Sequence, residues 1–71
     1  MKNYLKCHWC FENDYAIEQI RVYSDKFSYD RIIEFIKRKG EKLAKISEIT
    51  LRGFTVEYAT PDEIIKAGFV V

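Results

Sequence analysis

The chain reads as an α+β two-layer sandwich: an antiparallel sheet of about four strands in the order ββαββα, with the helices on one face. Three observations predict it. Leu5 to Phe11 alternates apolar and polar residues, the stretch after Ser28 carries apolar residues at three- and four-residue spacing, and Thr60-Pro61-Asp62-Glu63 has the composition of a helix start. Period two marks a half-buried strand and period 3.6 an amphipathic helix.

The first strand puts Leu5, Cys7, Trp9 and Phe11 on one side and Lys6, His8, Cys10 and Glu12 on the other. A second strand spans Tyr15 to Tyr23. With a two-residue turn at Asn13-Asp14, Phe11 opposes Ala16, Trp9 opposes Glu18, Cys7 opposes Ile20 and Leu5 opposes Val22. That register gathers nearly all apolar side chains of both strands on one face, with Glu18 as the misfit. Asn-Asp is a weaker hairpin turn than Asn-Gly, which leaves room for a loop longer by a residue or two.

The first helix starts after Ser28, a good N-cap, with Asp30 in the first turn where the helix dipole favours an acid. Tyr29, Ile32, Ile33, Ile36 and Leu43 form its apolar side; Glu34, Lys37, Arg38 and Glu41 cover the other. Gly40 is the natural stop. The alternative is a helix running through it to about Ile46, since an interior glycine costs only about 1 kcal/mol.

A second hairpin is expected from Arg52-Gly53 between Ile49-Thr50-Leu51 and Phe54-Thr55-Val56-Glu57-Tyr58. There Leu51 opposes Phe54 and Ile49 opposes Val56, so turn length and apolar pattern agree. Thr60, Pro61 and Glu63 then form a capping box for a short helix bearing Ile64 and Ile65 and ending at Gly68. Phe69-Val70-Val71 is a short closing strand or a packed tail.

At 71 residues the chain is one domain, residues 1–71. A domain this small buries only about 60 % of its unfolded surface, so its stability margin is thin. The apolar fraction of 48 % suffices for a core without disulfides, and the net charge of +1 argues against a dedicated polyanion binder and against disorder. No apolar run approaches the roughly 18 residues that span a bilayer, and no signal peptide is visible after Met1. A cytoplasmic, intracellular location is expected.

Cys7-His8-Trp9-Cys10 is the one stretch with recognisable site chemistry. A strand sends its two sulfurs to opposite faces, which leaves Cys7 as a core hydrophobe and Cys10 as a surface thiol. A metal site would need more ligands: Glu12 and Asp14 complete one poorly, and two chains sharing a zinc through Cys7 and Cys10 is the more sensible version. A redox motif of this spacing wants a helix after the cysteines, where strand and turn are expected. No metal and no cofactor are therefore assigned.

The outer face of the first hairpin would carry Tyr4, Lys6, His8, Cys10, Ile17, Gln19, Arg21 and Tyr23. Tyr4 would face Tyr23, His8 would face Gln19, and Lys6 would face Arg21, a like-charge pair that an anionic partner would relieve. Tyr4, Lys6, His8, Arg21 and Tyr23 are accordingly the candidate binding residues. Lys37, Arg38, Lys39, Lys42 and Lys45 form a second basic cluster, a helix-dipole complement or a phosphate-contacting patch diluted only by Glu41.

Eleven aromatics exceed what so small a core can easily hide. The expected function is thus a small non-enzymatic interaction module, an inhibitor, adaptor or oligomer subunit docking on another protein. Stand-alone chains of this size are common in phages and mobile elements. The runner-up is a small nucleic-acid-binding protein using an aromatic and basic sheet face; third is the zinc-sharing homodimer.

Overall fold

The alternation at the N-terminus produces the central strand of the molecule. The computed structural model describes residues 2–69. Strands β1 (Lys2–Phe11), β2 (Ala16–Ser24) and β3 (Leu51–Tyr58) form one antiparallel sheet in the order β2-β1-β3. Helix α1 (Tyr29–Ser47) connects β2 to β3, and α2 (Pro61–Lys66) follows β3. The α+β class stands. The sheet has three strands instead of about four.

The missing strand comes from the second expected hairpin. Phe11 faces Leu51 while Cys10 faces Gly53, so Arg52 is an extra residue on a single continuous strand. A bulge adds one residue, as a two-residue turn reverses direction without changing faces. Either device leaves Leu51, Phe54 and Val56 on the same side. The apolar pattern fits both; pairing with β1 along its length decides for the bulge.

The first hairpin also departs from expectation, by one residue. Glu12–Asp14 form a short 3-10 turn in which Asn13 and Asp14 have positive φ, 62° and 59°. Phe11 N–H donates to Tyr15 O at 2.7 Å, which closes a three-residue loop in place of the two-residue turn. Glu12 is drawn towards β3: its N–H donates to Thr50 O at 3.0 Å and its Oε1 accepts from Thr50 N at 3.1 Å. One added residue flips every β2 side chain. Leu5 now faces Arg21, Cys7 faces Gln19, Trp9 faces Ile17 and Asn3 faces Tyr23.

Helix α1 takes the longer of the two expected courses. Ser28 caps it, accepting from Arg31 N at 3.2 Å, and Glu48 closes it in the left-handed conformation, φ 57°. It passes through Gly40 because a glycine is needed there for packing. Trp9 Nε1 donates to Ile36 O at 2.9 Å, the carbonyl that the helix ladder assigns to the Gly40 N–H. A Cβ on Gly40 would stand 2.7 Å from Trp9 Nε1, overlap Trp9 Cδ1, and meet Leu51 Cδ2 at 3.1 Å.

The core is Leu5, Cys7, Trp9 and Phe11 from β1 against Ile32, Ile36 and Ala44 from α1, with Leu43, Ile49, Leu51, Phe54 and Val56 packed around it. Of the expected apolar helix positions, Ile32 and Ile36 are buried and Tyr29 is exposed. No polar or charged side chain is buried among the described residues, and none of their helices is long and apolar enough to cross a membrane.

The second helix forms with its capping box: Thr60 Oγ1 accepts from Glu63 N at 3.2 Å, and Glu63 Oε1 accepts from Thr60 N at 2.9 Å. Helices on one face were expected, yet α2 lies on the other. Lys6 and Tyr4 point away from α1, and both touch the α2 segment. Lys6 Nζ donates to Glu63 Oε2 at 2.8 Å, and the Tyr4 ring meets Phe69 edge-on at 5.7 Å. Phe69 is thus a packed tail; Val70 and Val71 lie outside the described residues.

Candidate functional site

The changed β2 register divides the expected binding face in two. Tyr4, Lys6 and His8 lie on the α2 side of the sheet, opposite Val22, Ile20 and Glu18. Arg21 and Tyr23 lie on the α1 side. No Lys6–Arg21 pair exists, and no Tyr4–Tyr23 pair, because the partners occupy opposite faces.

On the α2 side the polar groups are mutually satisfied. Lys6 is held between Glu63 at 2.8 Å and Glu57 at 2.9 Å. Its hydrogen bonds to these carboxylates, Glu63 first, raise its pKa above the ordinary lysine value. The Glu63 carboxyl falls to about 2, through its bond from Lys6 and those from the Thr60 backbone and hydroxyl. One carboxylate thereby caps α2 and ties it to the sheet. His8 Nδ1 lies 3.5 Å from Glu18 Oε2, both side chains well exposed. Glu18, expected inward against Trp9, points outward instead. This side reads as the anchorage of α2.

The cysteines follow the strand. Cys7 is wholly buried, its thiol donating to Leu5 O at 3.7 Å, and burial pushes its pKa up to about 11. Cys10 is exposed on the other face. The two sulfurs cannot grip one ion together, and among the described residues no three His, Cys, Asp or Glu side chains cluster as ligands.

The α1 side of β2 is different in kind. Tyr23 stacks on Phe35 of α1 with centroids 6.1 Å apart, and Phe27 meets Phe35 edge-on at 5.2 Å. Arg21 Nε donates to Tyr23 Oη at 2.9 Å, its Nη1 to Gln19 Oε1 at 3.3 Å, and its guanidinium lies over the Tyr23 ring. Arg31 lies over Phe35 at 5.6 Å. Since Phe35 faces β2, the residues one turn to either side and two and three turns on share its flank: Arg31, Lys39, Lys42 and Ile46.

That flank contains no acid between Arg31 and Ile46. The basic cluster expected at a helix end is instead distributed around a continuous helix. By helical spacing Lys39 and Lys42 fall on the Phe35 flank and Lys37 on the far one, while Arg38 pairs with Glu34 at 2.8 Å. Lys45 stands on the solvent side by the same spacing. Helix α1 lies chiefly over β1 and β3, so Ile17, Gln19, Arg21 and Tyr23 are only half-covered.

Sequence reasoning missed Arg31, Phe27 and Phe35. Phe35 and Arg31 are four residues apart in the helix, and an aromatic flanked by cations at that spacing was the available signal.

Two hollows open elsewhere on the described surface. The larger, about 600 Å³, is lined by Lys2, Val22, Ser24, Asp25 and Lys26. Its hydroxyl, Ser24 Oγ, accepts from Lys26 N at 3.2 Å and so serves the turn. The smaller, about 210 Å³, lies beside Cys10, Tyr15 and Arg52. No family model, curated protein or solved structure matches this chain.

Proposed function

We propose that this chain is a small non-enzymatic interaction module that docks on an acidic protein surface through the half-covered side of β2 and the adjoining flank of α1. The supporting observation is the placement of Arg21 and Arg31 over the stacked Tyr23–Phe35–Phe27 rings, with Lys39 and Lys42 on the Phe35 flank of the helix by spacing. Aromatic and arginine side chains are the residues most enriched at protein interfaces and their hot spots. Ring stacking and the Arg21–Tyr23 bond hold part of the surface in place beforehand, which reduces the ordering entropy of binding.

A nucleic-acid reading draws on the same cations, and the flank without an acid favours it. The rings argue for the protein reading, because Tyr23 and Phe35 already stack on each other and leave less face for bases. The reading is tested by capture of partners from the native host with the wild-type chain, the R31E/K42E variant and a K66E control. Loss of the captured protein with R31E/K42E alone supports it; equal capture by all three contradicts it. A single-stranded oligonucleotide that binds with a steep loss of affinity as salt rises would move the assignment to nucleic acid.

A further inference from the structure

We propose that two copies of this chain pair edge to edge through β2, with Ile20 on the two-fold axis, to form a continuous six-stranded sheet.

The ladder parity leaves β2 with an open edge. Phe11 N donates to Tyr15 O, so the bonded pairs continue as Trp9 with Ile17, Cys7 with Gln19 and Leu5 with Arg21. The N–H and C=O groups of Ala16, Glu18, Ile20, Val22 and Ser24 therefore turn away from β1. No other strand of the described chain takes them up, although Ser24 O already accepts from Phe27 N at 3.3 Å in the following turn.

Edge strands are normally blunted by proline, bulges, short length or charged side chains, lysine above all. β2 has no proline, bulge or lysine in its nine residues, AIEQIRVYS, which keep unbroken register with β1; its charges are Glu18 and Arg21, one on each face. The other edge is treated differently, since Arg52 interrupts β3 as a bulge.

The sequence of β2 also selects its occupant. In an antiparallel pair centred on Ile20, each Gln19 faces Arg21 of the second copy and each Ile17 faces its Tyr23. Glu18 faces Val22, and Ile20 faces itself. Amide meets guanidinium, a β-branched residue meets an aromatic, and no like charges stand directly opposite. Moving the centre to Arg21 sets two guanidinium groups face to face. Moving it to Gln19 sets Arg21 against Ile17 and Glu18 against Ile20. Self-pairing about Ile20 leaves Glu18 opposite an aliphatic residue, as the Gln19 centre does, but it alone of the three gives Arg21 a polar partner without opposing like charges.

Such an axis runs perpendicular to the sheet, so both α1 helices lie on one side. The flanks bearing Arg31, Phe35, Lys39 and Lys42 then look at each other across the joined strands. In this respect the pairing extends the docking reading, although the strand contact itself stands on the open edge of β2 and its cross-strand pairs, independently of that flank.

Sedimentation equilibrium of the full chain, from micromolar to near-millimolar concentration, is expected to give twice the 8.5 kDa chain mass. I20E should return the single-chain mass with unchanged circular dichroism, because its carboxylate lies beside Lys6 within the chain and beside its own copy across the axis. In a C10S background, I20C should form a disulfide-linked dimer on oxidation and V22C should not. Wild-type protein at single-chain mass throughout, a dimer that I20E leaves intact, or linkage through V22C in place of I20C overturns the proposal. R31E/K42E should keep the doubled mass while losing partner capture, so failure of the docking reading and failure of the dimer are told apart.

Discussion

The two sides of the central strand are finished to different standards. Towards β3, Trp9 fits against Gly40 and Leu51 so closely that one added methyl has no room, and its indole is bonded to the Ile36 carbonyl. Towards β2, contact with α1 runs through Tyr23, Phe35 and Phe27, and the polar Gln19 and Arg21 occupy positions where a core would place aliphatics. Close packing supplies the stability of a small domain. The loosely covered side is the one proposed for docking.

This contrast can be broken at several points. Trp9→Ala should have the largest effect, about 3–5 kcal/mol for a buried tryptophan. For so small a domain that approaches the whole folding free energy, and thermal denaturation should show most of the chain unfolded at room temperature. Gly40→Ala comes next. Overpacking against the indole costs about 1–3 kcal/mol, offset by about 1 kcal/mol of helix propensity. A chemical denaturation curve should shift to lower denaturant. Gly53→Ala is the companion control, because nothing lies within 4 Å of the added Cβ. It should leave the midpoint nearly unchanged.

The α2 anchorage should respond to pH in a defined window. The Glu63 pKa is depressed in the folded chain, so its contribution is complete above the ordinary value of 4.5 and is lost as pH falls through about 2. Lys6 is raised, so its contribution is complete below 10.5 and fades only above it. Protection of the α2 amides, taken relative to the intrinsic exchange rate at each pH, should therefore fall below pH 4.5 while the β1 amides stay protected. Equal protection of both segments down to pH 2 would show that Glu63 does not hold the helix. The smallest effect belongs to R31E/K42E: exposed charges away from the core should alter stability by no more than about 0.5 kcal/mol, read as an unchanged melting temperature.

Much of this was legible in the residues. The alternation of Leu5 to Phe11 placed the core side of β1 and the fates of both cysteines, because period two is a local property. Ser28 and Thr60 marked both helix starts for the same reason. What escaped depended on distant contacts. Glu12 joins Thr50, thirty-eight positions away, and the turn gains a residue that reverses all of β2. Arg52-Gly53 satisfies a turn and a bulge equally until β1 lies alongside. Gly40 looked like a stop because its partner, the Trp9 ring, lies thirty-one positions earlier. Arg21 and Tyr23 were named as binding residues but assigned to the wrong side of the sheet, and only the register could bring Tyr23 to Phe35.

That register is open to direct measurement through Hα–Hα nuclear Overhauser contacts, which arise between opposed residues that share no backbone hydrogen bonds. Strong cross-peaks from Lys6 to Ile20 and from His8 to Glu18 are the expected result. A cross-strand contact placing Ile20 opposite Cys7 would return Arg21 and Tyr23 to the other face and contradict the account.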